Sequence, residues 1–310
     1  MKILILGAGA IGGYLGARLI ELGADVTFLV RPARAAVLAR DGLHVTSPNG
    51  DVHIATVNTV TAETVGADYD LVVLSCKAFD LASSIAAIRP AMAGQRAHLL
   101  PLLNGMRHMD DLDAAFGADR VLGGTAHISV TLDDAGTVRH LNKLHRYTYG
   151  PRLPAQAAFC DSAKPVLTAI NAEVRLSQAI QTEMWEKWVL LATLAGMTCL
   201  MRASIGDIVA TRDGRALLLD AIEEGALVAS ASGHPAREPV LTATRGILTE
   251  AGSGLKASML RDLEQGGRIE ADHIVGDLVR RASALGLATP LLRTAYCHLQ
   301  AYEVGRAGAR

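Results

Sequence analysis

The first 23 residues constrain the fold more than any other part of the chain. An apolar run at residues 2–6 is followed at once by Gly7-Ala-Gly-Ala-Ile-Gly12, and a helical pattern then continues to Gly23. A strand, a G-x-G-x-x-G turn and a helix in this order form the fingerprint of a dinucleotide-binding βα unit. We therefore predict a nucleotide site at the start of the chain. The alternative is a glycine-rich turn that binds no ligand.

Each glycine of this turn has a separate physical reason. Gly7 permits the tight turn out of the strand, Gly9 lets a pyrophosphate approach the backbone, and Gly12 lets the helix pack closely on the sheet. The N-terminus of the helix offers unpaired N–H groups and the positive end of its dipole to the phosphates. The predicted cofactor-binding residues therefore include Ala10 and Ile11, which open this helix.

Composition bounds the class of protein. The chain has 310 residues, half of them apolar and 20% charged, with a formal net charge of −1. This length favours two domains over one, and the apolar content favours a large core over disorder. No basic run stands out, so we expect neither nucleic acid nor an anionic membrane as the main partner. The apolar helical region is compatible with a homodimer, although its own core explains that content equally well.

The cysteines and histidines do not form a metal or redox motif. Cys76, Cys160, Cys199 and Cys297 are scattered and include no C-x-x-C pair. They are typical of reduced thiols in a cytoplasmic protein. We interpret the ten histidines as structural or surface residues and expect no metal.

Strand and helix patterns divide the chain near residues 175–178. Strand-like runs dominate before this point, including a central apolar run at 70–75 and a hairpin around Pro48-Asn-Gly50. After it, helical patterns follow one another and strand patterns nearly vanish. We predict an α/β plus all-α fold. A Rossmann-type dinucleotide-binding domain covers residues 1–176, and a helical substrate-binding and catalytic domain covers residues 177–310.

The end of the second strand indicates which dinucleotide is bound. In an NAD-type site an acidic residue closes this strand and accepts the ribose hydroxyls. Here the strand ends at Arg31, Arg34 lies close by, and Asp25 stands at the opposite end. A guanidinium group pairs bidentately with a 2′-phosphate. We therefore predict NADP(H) as the cofactor, the alternative being a solvated arginine in a loop.

Further motifs then follow in a fixed order along the chain. They are Lys77, Asn104-Gly105-Met106, Glu183-Met-Trp-Glu-Lys187-Trp188, Ser258-Met-Leu-Arg-Asp262 and Arg268-Ile-Glu-Ala-Asp272. Together with the glycine turn and Arg31, this order resembles the ketopantoate reductase (2-dehydropantoate 2-reductase) family. The resemblance extends over nearly the whole chain.

The resemblance implies a fold, a reaction and a set of site residues. A Rossmann domain and a helical domain enclose a cleft, in which NADPH delivers a hydride to a 2-oxo acid. Lys187 matches the catalytic lysine of the family, and Ser258 and Glu270 match residues that contact the substrate. Lys77 and Asn104 match residues that line the site where cofactor and substrate meet, so we assign them to both. With ketopantoate as the substrate, the enzyme would serve pantothenate biosynthesis.

The chemistry supports these roles independently of the resemblance. Hydride attack on a ketone builds negative charge on the oxygen, so a positioned proton donor is needed. A partly desolvated lysine has a lowered pKa that suits proton donation near neutrality. We assign Glu270 to catalysis with Lys187, because its carboxylate could hold the ammonium in place or bind a substrate hydroxyl.

Each of these residues also has a structural interpretation. Lys187 could be an exposed helix lysine that pairs with Glu183 one turn earlier. Ser258 could cap the N-terminus of a helix over residues 259–265, and Glu270 could be a solvated residue in a first helical turn. Asn104-Gly105 could be an ordinary turn.

The sequence departs from the family pattern at three positions. Asparagines that bind substrate are expected one and two turns after the catalytic lysine and once farther on, but the matching residues are Leu191, Ala195 and Ile205. Residues at i, i+4 and i+8 share a helix face, so the surface beside Lys187 is apolar. We therefore hypothesise that the reaction is retained while the substrate shifts to a less hydroxylated 2-oxo acid or ketone. The apolar surroundings should also lower the pKa of Lys187.

Two other interpretations fit the sequence. A 6-phosphogluconate or 3-hydroxyacyl-type dehydrogenase also joins a Rossmann domain to a helical one, although Arg31, Lys77 and the 104–106 motif fit the first reading better. The chain could also be a non-catalytic NADPH-binding sensor that has lost its substrate site. Substrate-dependent oxidation of NADPH separates the sensor from the enzymes.

Overall fold

The chain folds into two compact units in the computed structural model. The model describes residues 1–94 and 96–308, so residues 95, 309 and 310 lie outside the described part. The first unit combines residues 1–103 with 109–180, and the second combines residues 104–108 with the chain from residue 181 onward. We keep residues 1–176 and 177–310 as the proposed division into a cofactor domain and a catalytic domain.

Strands are described only in the first unit. They are β1 (Lys2–Leu6), β2 (Asp25–Leu29), β3 (Leu43–Thr46), β4 (Val52–Ile54), β5 (Thr59–Val60), β6 (Leu71–Leu74), β7 (His98–Pro101), β8 (Gly123–Leu132), β9 (Val138–Gly150) and β10 (Glu173–Leu176).

A five-stranded parallel sheet forms the centre of the first unit. Its strand order is β5-β2-β1-β6-β7. All of β6 and the three central residues of β1 are apolar and buried, as expected for a parallel sheet covered on both faces. β7 lies at the edge of this sheet. Pro101 is tolerated there because no further strand of the sheet needs the N–H group that proline lacks. The strand order reverses between β1 and β6, and this switch point is where doubly wound sheets bind their ligands.

The described helices belong to both units. They are α1 (Ala10–Glu21), α2 (Pro32–Asp41), α3 (Leu81–Met92), α4 (Arg107–Phe116), α5 (Ala157–Leu167), α6 (Ile180–Met201), α7 (Ile205–Val209), α8 (Gly214–Ala231), α9 (Glu238–Leu248), α10 (Ser258–Glu264), α11 (Asp277–Ala284) and α12 (Pro290–Gly308). Short 3₁₀ segments occupy Ala78–Asp80 and Pro154–Gln156, and a π-helical segment occupies Asp272–Gly276.

Helix α1 is packed between the parallel sheet and a second, mixed sheet. The second sheet has the order β10-β9-β3-β4, with β8 paired antiparallel to β9. Every residue from 12 to 19 of α1 is buried, which is typical of a helix covered on all sides. Small residues make this packing possible, because a Cβ at Gly16 would lie 2.3 Å from the ring of Phe28. The glycine turn is therefore anchored on a helix that has little freedom to move.

The described residues of the second unit form helices and connecting segments, with no strand among them. Its longest helix, α6, is buried along most of its length, with Trp188 among the largest fully buried side chains. Helix α8 packs on α7, α9, α11 and α12, and the π-helical segment packs on α11 and α12. The predicted fold class, an α/β region followed by an all-α region, is confirmed. Among the described residues, no helix has both the length and the apolar character needed to cross a membrane.

Candidate active site

The glycine turn has the geometry that the sequence predicts. Gly7 has a φ of +87°, in the left-handed region that favours glycine. A Cβ at Gly12 would lie 2.4 Å from the Gly7 carbonyl oxygen and 2.6 Å from Ser75 Oγ, so this position requires glycine for packing. A Cβ at Gly9, in contrast, would meet no atom within 4 Å. The space in front of Gly9 is therefore open, as the approach of a ligand to the backbone requires.

The N-terminus of α1 faces this open turn without a side-chain cap. Its N-cap is Gly9, no side chain hydrogen-bonds to the cap, and the first turn contains no acidic residue. Ala10 and Ile11 are half-buried and follow directly. An uncapped helix start with its positive dipole end directed at open space is a ready site for phosphate. The residues present therefore fit a dinucleotide.

Arg31 and Arg34 occupy different positions beyond β2. Arg34 lies over the turn, where Nε donates to the Ala8 carbonyl at 3.2 Å and Nη2 donates to the Gly136 carbonyl at 3.0 Å. Arg31 is the N-cap residue of α2, and its side chain is 81% exposed. Its guanidinium lies 3.6 Å from Asp80, which is an exposed and therefore weak ion pair. Arg34 thus supports the turn, whereas Arg31 is accessible to an anionic ligand.

Lys77 lies in the loop that follows β6. It is exposed and directly precedes the 3₁₀ segment Ala78–Asp80, whose Asp80 N–H donates to the Lys77 carbonyl at 2.9 Å. The carboxyl ends of β1, β2 and β6 thus carry the glycine turn, Arg31 and Lys77, respectively, at one edge of the same parallel sheet. The first unit brings these cofactor-binding candidates together.

Lys187 is a buried lysine on α6. Its side chain is only 9% exposed, and its Nζ donates to Asn104 Oδ1 at 2.9 Å. Burial lowers the pKa of Lys187 to about 8, as the apolar surroundings predict. The interpretation of Lys187 as an exposed helix lysine is therefore wrong. The nearby Glu183 carboxylate lies 4.0 Å from the Arg237 guanidinium, which binds Glu186 more closely at 2.5 Å.

Asn104 reaches Lys187 from the short segment 104–108 of the helical unit. Gly105 has a φ of +83°, and a Cβ there would lie 3.0 Å from the His273 ring and 3.1 Å from its carbonyl oxygen. The segment therefore lies directly against the π-helical turn. Asn104-Gly105 is a turn, as the structural interpretation proposed, but one whose side-chain amide hydrogen-bonds to Lys187.

Glu270 and Ser258 occupy the starts of two helical segments. Glu270 is half-buried, and its backbone carbonyl accepts the Ile274 N–H at 3.0 Å. Ser258 is exposed and is the first residue of α10. The N-cap of this helix is Ala257, and no side chain caps it. The interpretation of Ser258 as an N-cap is therefore wrong.

The residues that replace the expected asparagines differ in exposure. Leu191, one turn beyond Lys187, is half-buried, so part of its side chain remains accessible to solvent. Ala195 is buried, and Ile205 is fully buried at the start of α7, where its N–H donates to the Leu255 carbonyl at 3.0 Å. The apolar surface beside Lys187 is therefore formed mainly by Leu191.

Sequence reasoning missed two residues beside the site. His273 and His108 are both buried, and Nδ1 of His108 lies 3.3 Å from Nε2 of His273. The two residues are 165 positions apart, so no local pattern joins them. The helical pattern that contains His273 was predicted, but its π-helical turn was not.

Comparisons with known proteins identify the family. The family model described as ketopantoate reductase PanE/ApbA matches residues 3–153, and the model of its C-terminal region matches residues 179–303. The uncharacterized oxidoreductase YkpB of Bacillus subtilis is 37% identical over 303 residues, which cover 98% of this chain and 99% of YkpB. The 2-dehydropantoate 2-reductase of Halobacterium salinarum is 30% identical over 295 residues, which cover 95% of this chain and 96% of that protein.

A solved structure shows the same fold at lower identity. The ternary structure of D-mandelate dehydrogenase with NADH and anilino(oxo)acetate has a TM-score of 0.88 to this chain at 21% identity, covering 99% of both chains. The family models extend over both regions of the chain, and curated relatives match it almost from end to end. The chain therefore belongs to the ketopantoate reductase family and is an oxidoreductase that acts on a carbonyl or alcohol group with a nicotinamide cofactor.

Proposed function

We propose that this chain is an NADPH-dependent reductase that converts a 2-oxo acid into the corresponding 2-hydroxy acid, with Lys187 as the proton donor. The observation that carries the proposal is the buried ammonium group of Lys187, hydrogen-bonded to Asn104 at 2.9 Å and with its pKa lowered to about 8. A lysine with this pKa is mostly protonated at neutral pH, yet it gives up its proton more readily than an exposed lysine.

The proposed mechanism is a balanced two-electron reduction. NADPH, when bound at the glycine turn, would supply a hydride to the C2 carbon of the substrate and leave as NADP⁺. Lys187 donates its proton to the carbonyl oxygen as negative charge builds there, so a C–H and an O–H bond form while the C=O π bond is lost. Asn104 restrains the ammonium group through its side-chain oxygen. Neutral Lys187 then regains a proton from solvent, which completes the cycle.

The remaining predicted residues take supporting roles in this proposal. Glu270 is assigned to bind the substrate or hold the ammonium group, and Ser258 is assigned to the substrate carboxylate through its hydroxyl group. Lys77 is assigned to the cofactor and substrate because it lies at the carboxyl edge of the parallel sheet. In this reading the protein works in the cytoplasm with its thiols reduced, and none of the four cysteines, all within the described residues, forms a disulfide bond.

The proposed preference for NADPH rests on Arg31. Its exposed guanidinium follows β2, where a 2′-phosphate would lie, whereas Arg34 already donates to two backbone carbonyls. The fold neighbour D-mandelate dehydrogenase was crystallised with NADH, so the fold alone does not select the cofactor. The charge at the end of β2 is the feature that favours NADPH in this chain.

We expect Arg31→Ala to raise the KM for NADPH by about 10–100-fold, the worth of one charge-assisted hydrogen-bonded pair. The KM for NADH should change less than about threefold, because NADH has no 2′-phosphate for the arginine to bind. Steady-state kinetics with both cofactors measure this. The matched control is Arg40→Ala on the same helix, an exposed arginine paired with Asp41. Equal losses for both cofactors would contradict the assignment.

The proposed substrate is a 2-oxo acid with few polar groups beyond the oxo acid itself. Leu191 presents an apolar surface one turn beyond Lys187 and offers no partner to a substrate hydroxyl. Burying such a hydroxyl without a partner costs about 1–3 kcal/mol. The other candidate is ketopantoate, the default substrate for a member of this family, which carries this hydroxyl. If ketopantoate is the substrate, the role is in pantothenate biosynthesis.

Replacing Leu191 with asparagine should shift the substrate preference. We expect Leu191→Asn to raise kcat/KM for ketopantoate, relative to an aliphatic 2-oxo acid of similar size, by about tenfold, because the amide can pair with the hydroxyl. Leu191→Met keeps the volume without adding a donor, and it should leave the ratio unchanged. If wild type already reduces ketopantoate far better than any unhydroxylated 2-oxo acid, the shift in substrate is refuted.

One assay tests the proposed function directly. Purified protein is mixed with NADPH and a panel of 2-oxo acids that differ only in their C3 and C4 substituents, and NADPH oxidation is followed by absorbance. We expect turnover with at least one 2-oxo acid and formation of the 2-hydroxy acid in equal amount. NADPH binding without turnover on any member would favour the sensor reading instead.

A further inference from the structure

One short stretch of chain contacts residues beside both members of the Lys187–Asn104 pair. This stretch is the π-helical segment Asp272–Gly276, whose residues are buried except at its first position. A π-helical turn is rare, and such turns are frequently found at functional sites. The contacts of this turn therefore indicate which site residues it positions.

The π-helical segment is bonded to the residue beside each member of the pair. Trp188, which follows Lys187, donates from its indole N–H to the Ile274 carbonyl at 2.8 Å. The His273 ring hydrogen-bonds to the backbone of Asn104 and lies against Gly105. One segment thus fixes both the helix that carries the ammonium group and the turn that carries its acceptor.

His273 is itself held on two further sides. Its Nε2 lies 3.3 Å from Nδ1 of the fully buried His108, at the other end of the 104–108 segment. The preceding residue, Asp272, accepts from Arg107 at 2.7 Å and from Tyr296 at 2.6 Å. Burial lowers the pKa of His273, while its hydrogen bond to the Asn104 backbone acts in the opposite direction.

We propose that His273 is a positioning residue, which keeps the Asn104 side chain within hydrogen-bond reach of Lys187 by binding the backbone of the 104–108 segment. The inference rests on the proposed function, in which Lys187 is the proton donor. His273 itself does not have to touch the substrate. A histidine that only filled space would be replaceable by an apolar side chain of similar size.

The test compares side chains that keep or lose the hydrogen bond. His273→Met removes it, His273→Asn keeps a donor where Nδ1 stood, and His273→Gln keeps one where Nε2 stood. Asn104→Ala serves as the reference for a lost acceptor. His298→Met is the matched control, a histidine of the same unit on α12.

The first readout does not depend on turnover. The chain has six lysines, so ε-¹³C-lysine labelling gives a short set of NMR signals, and Lys187→Met identifies the one of interest. We expect the measured pKa of Lys187 to fall by about one unit in His273→Met and in Asn104→Ala, because the ammonium form loses an acceptor. The control and at least one of the Asn and Gln variants should retain the wild-type value.

The second readout is the split between kcat and KM. We expect His273→Met to lower kcat by about tenfold, with a smaller change in the KM for the 2-oxo acid, and the Asn or Gln variant to restore most of it. A folded His273→Met with wild-type kcat and wild-type Lys187 pKa overturns the proposal. So does equal behaviour of the Met, Asn and Gln variants. If wild type reduces no 2-oxo acid, the proposed function fails, but the NMR titration still decides whether His273 positions the pair.

Discussion

Lys187→Ala should lower kcat for the preferred 2-oxo acid by about 10²–10⁴-fold, the usual contribution of a general acid. The residue is buried and its ammonium group is held by Asn104, so its loss removes the one proton donor assigned to the reaction. The wild-type kcat/KM should also fall as the pH rises through about 8, because only the protonated form of Lys187 can donate. Stopped-flow or steady-state oxidation of NADPH across pH 6–10 measures both effects.

Two further measurements separate chemistry from structural damage. Small alkylamines should restore part of the activity of Lys187→Ala, because they can enter the space that the side chain leaves and supply an ammonium group. Lys256→Ala, at a surface ion pair with Glu264 in the same unit, is the matched control and should keep wild-type kcat. A Lys187→Ala variant with unchanged turnover would remove the assignment of Lys187 as the proton donor.

The sequence was informative wherever one local pattern carried one structural requirement. The glycine turn is such a case, because the positive φ of Gly7 and the close packing of Gly12 are demands on single residues. The burial of Lys187 also followed locally, since Leu191 and Ala195 share its helix face. The fold class followed from the change of period near residue 175, from strand-like to helical.

Other elements escaped prediction for identifiable reasons. Helix α5 contains Pro165 and begins after Pro154, and these prolines obscure its helical pattern. β10 has only four residues and is stabilised by pairing with β9, which lies far from it in sequence. α4 has a readable apolar pattern, because Met109 and Leu112 are buried one turn apart, but this helix is not among those predicted from the sequence.

The candidate site was predicted residue by residue but not as an arrangement. The 2.9 Å contact joins Asn104 to Lys187 across 83 positions, and the histidine pair spans 165. Contacts between segments this far apart are set by how the chain packs, and no periodicity within either segment encodes them. The resemblance to a known family pointed to Asn104 and Lys187 as site residues. The contacts of the π-helical turn beside them are visible only in the structure.

Burial of Lys187 also predicts how stability should vary with pH. The pKa of Lys187 is about 8 in the folded protein, against its ordinary value of 10.5 in an unfolded chain. Between these two values the unfolded chain holds a proton that the folded chain has released, so the free energy of unfolding rises with pH. Below pH 8 the buried charge costs about 3 kcal/mol, and this cost disappears between pH 8 and 10.5.

We therefore expect Lys187→Met to be more stable than wild type at pH 7, by an amount on the order of 3 kcal/mol, and this difference to shrink steadily up to about pH 10.5. Urea unfolding of both proteins at intervals from pH 7 to 10 measures it, and the difference between the two curves removes every other group that titrates. Lys256→Met provides the control for loss of a lysine in the same unit.

The gain in stability is reduced if Lys187→Met leaves the side-chain oxygen of Asn104 without a donor. The double variant Lys187→Met with Asn104→Leu should therefore show the gain most fully. If the difference in stability between Lys187→Met and wild type stays constant over this pH range, Lys187 has the same pKa in the folded protein as in the unfolded chain. That result would contradict the lowering of its pKa by burial, and with it the suitability of Lys187 as a proton donor.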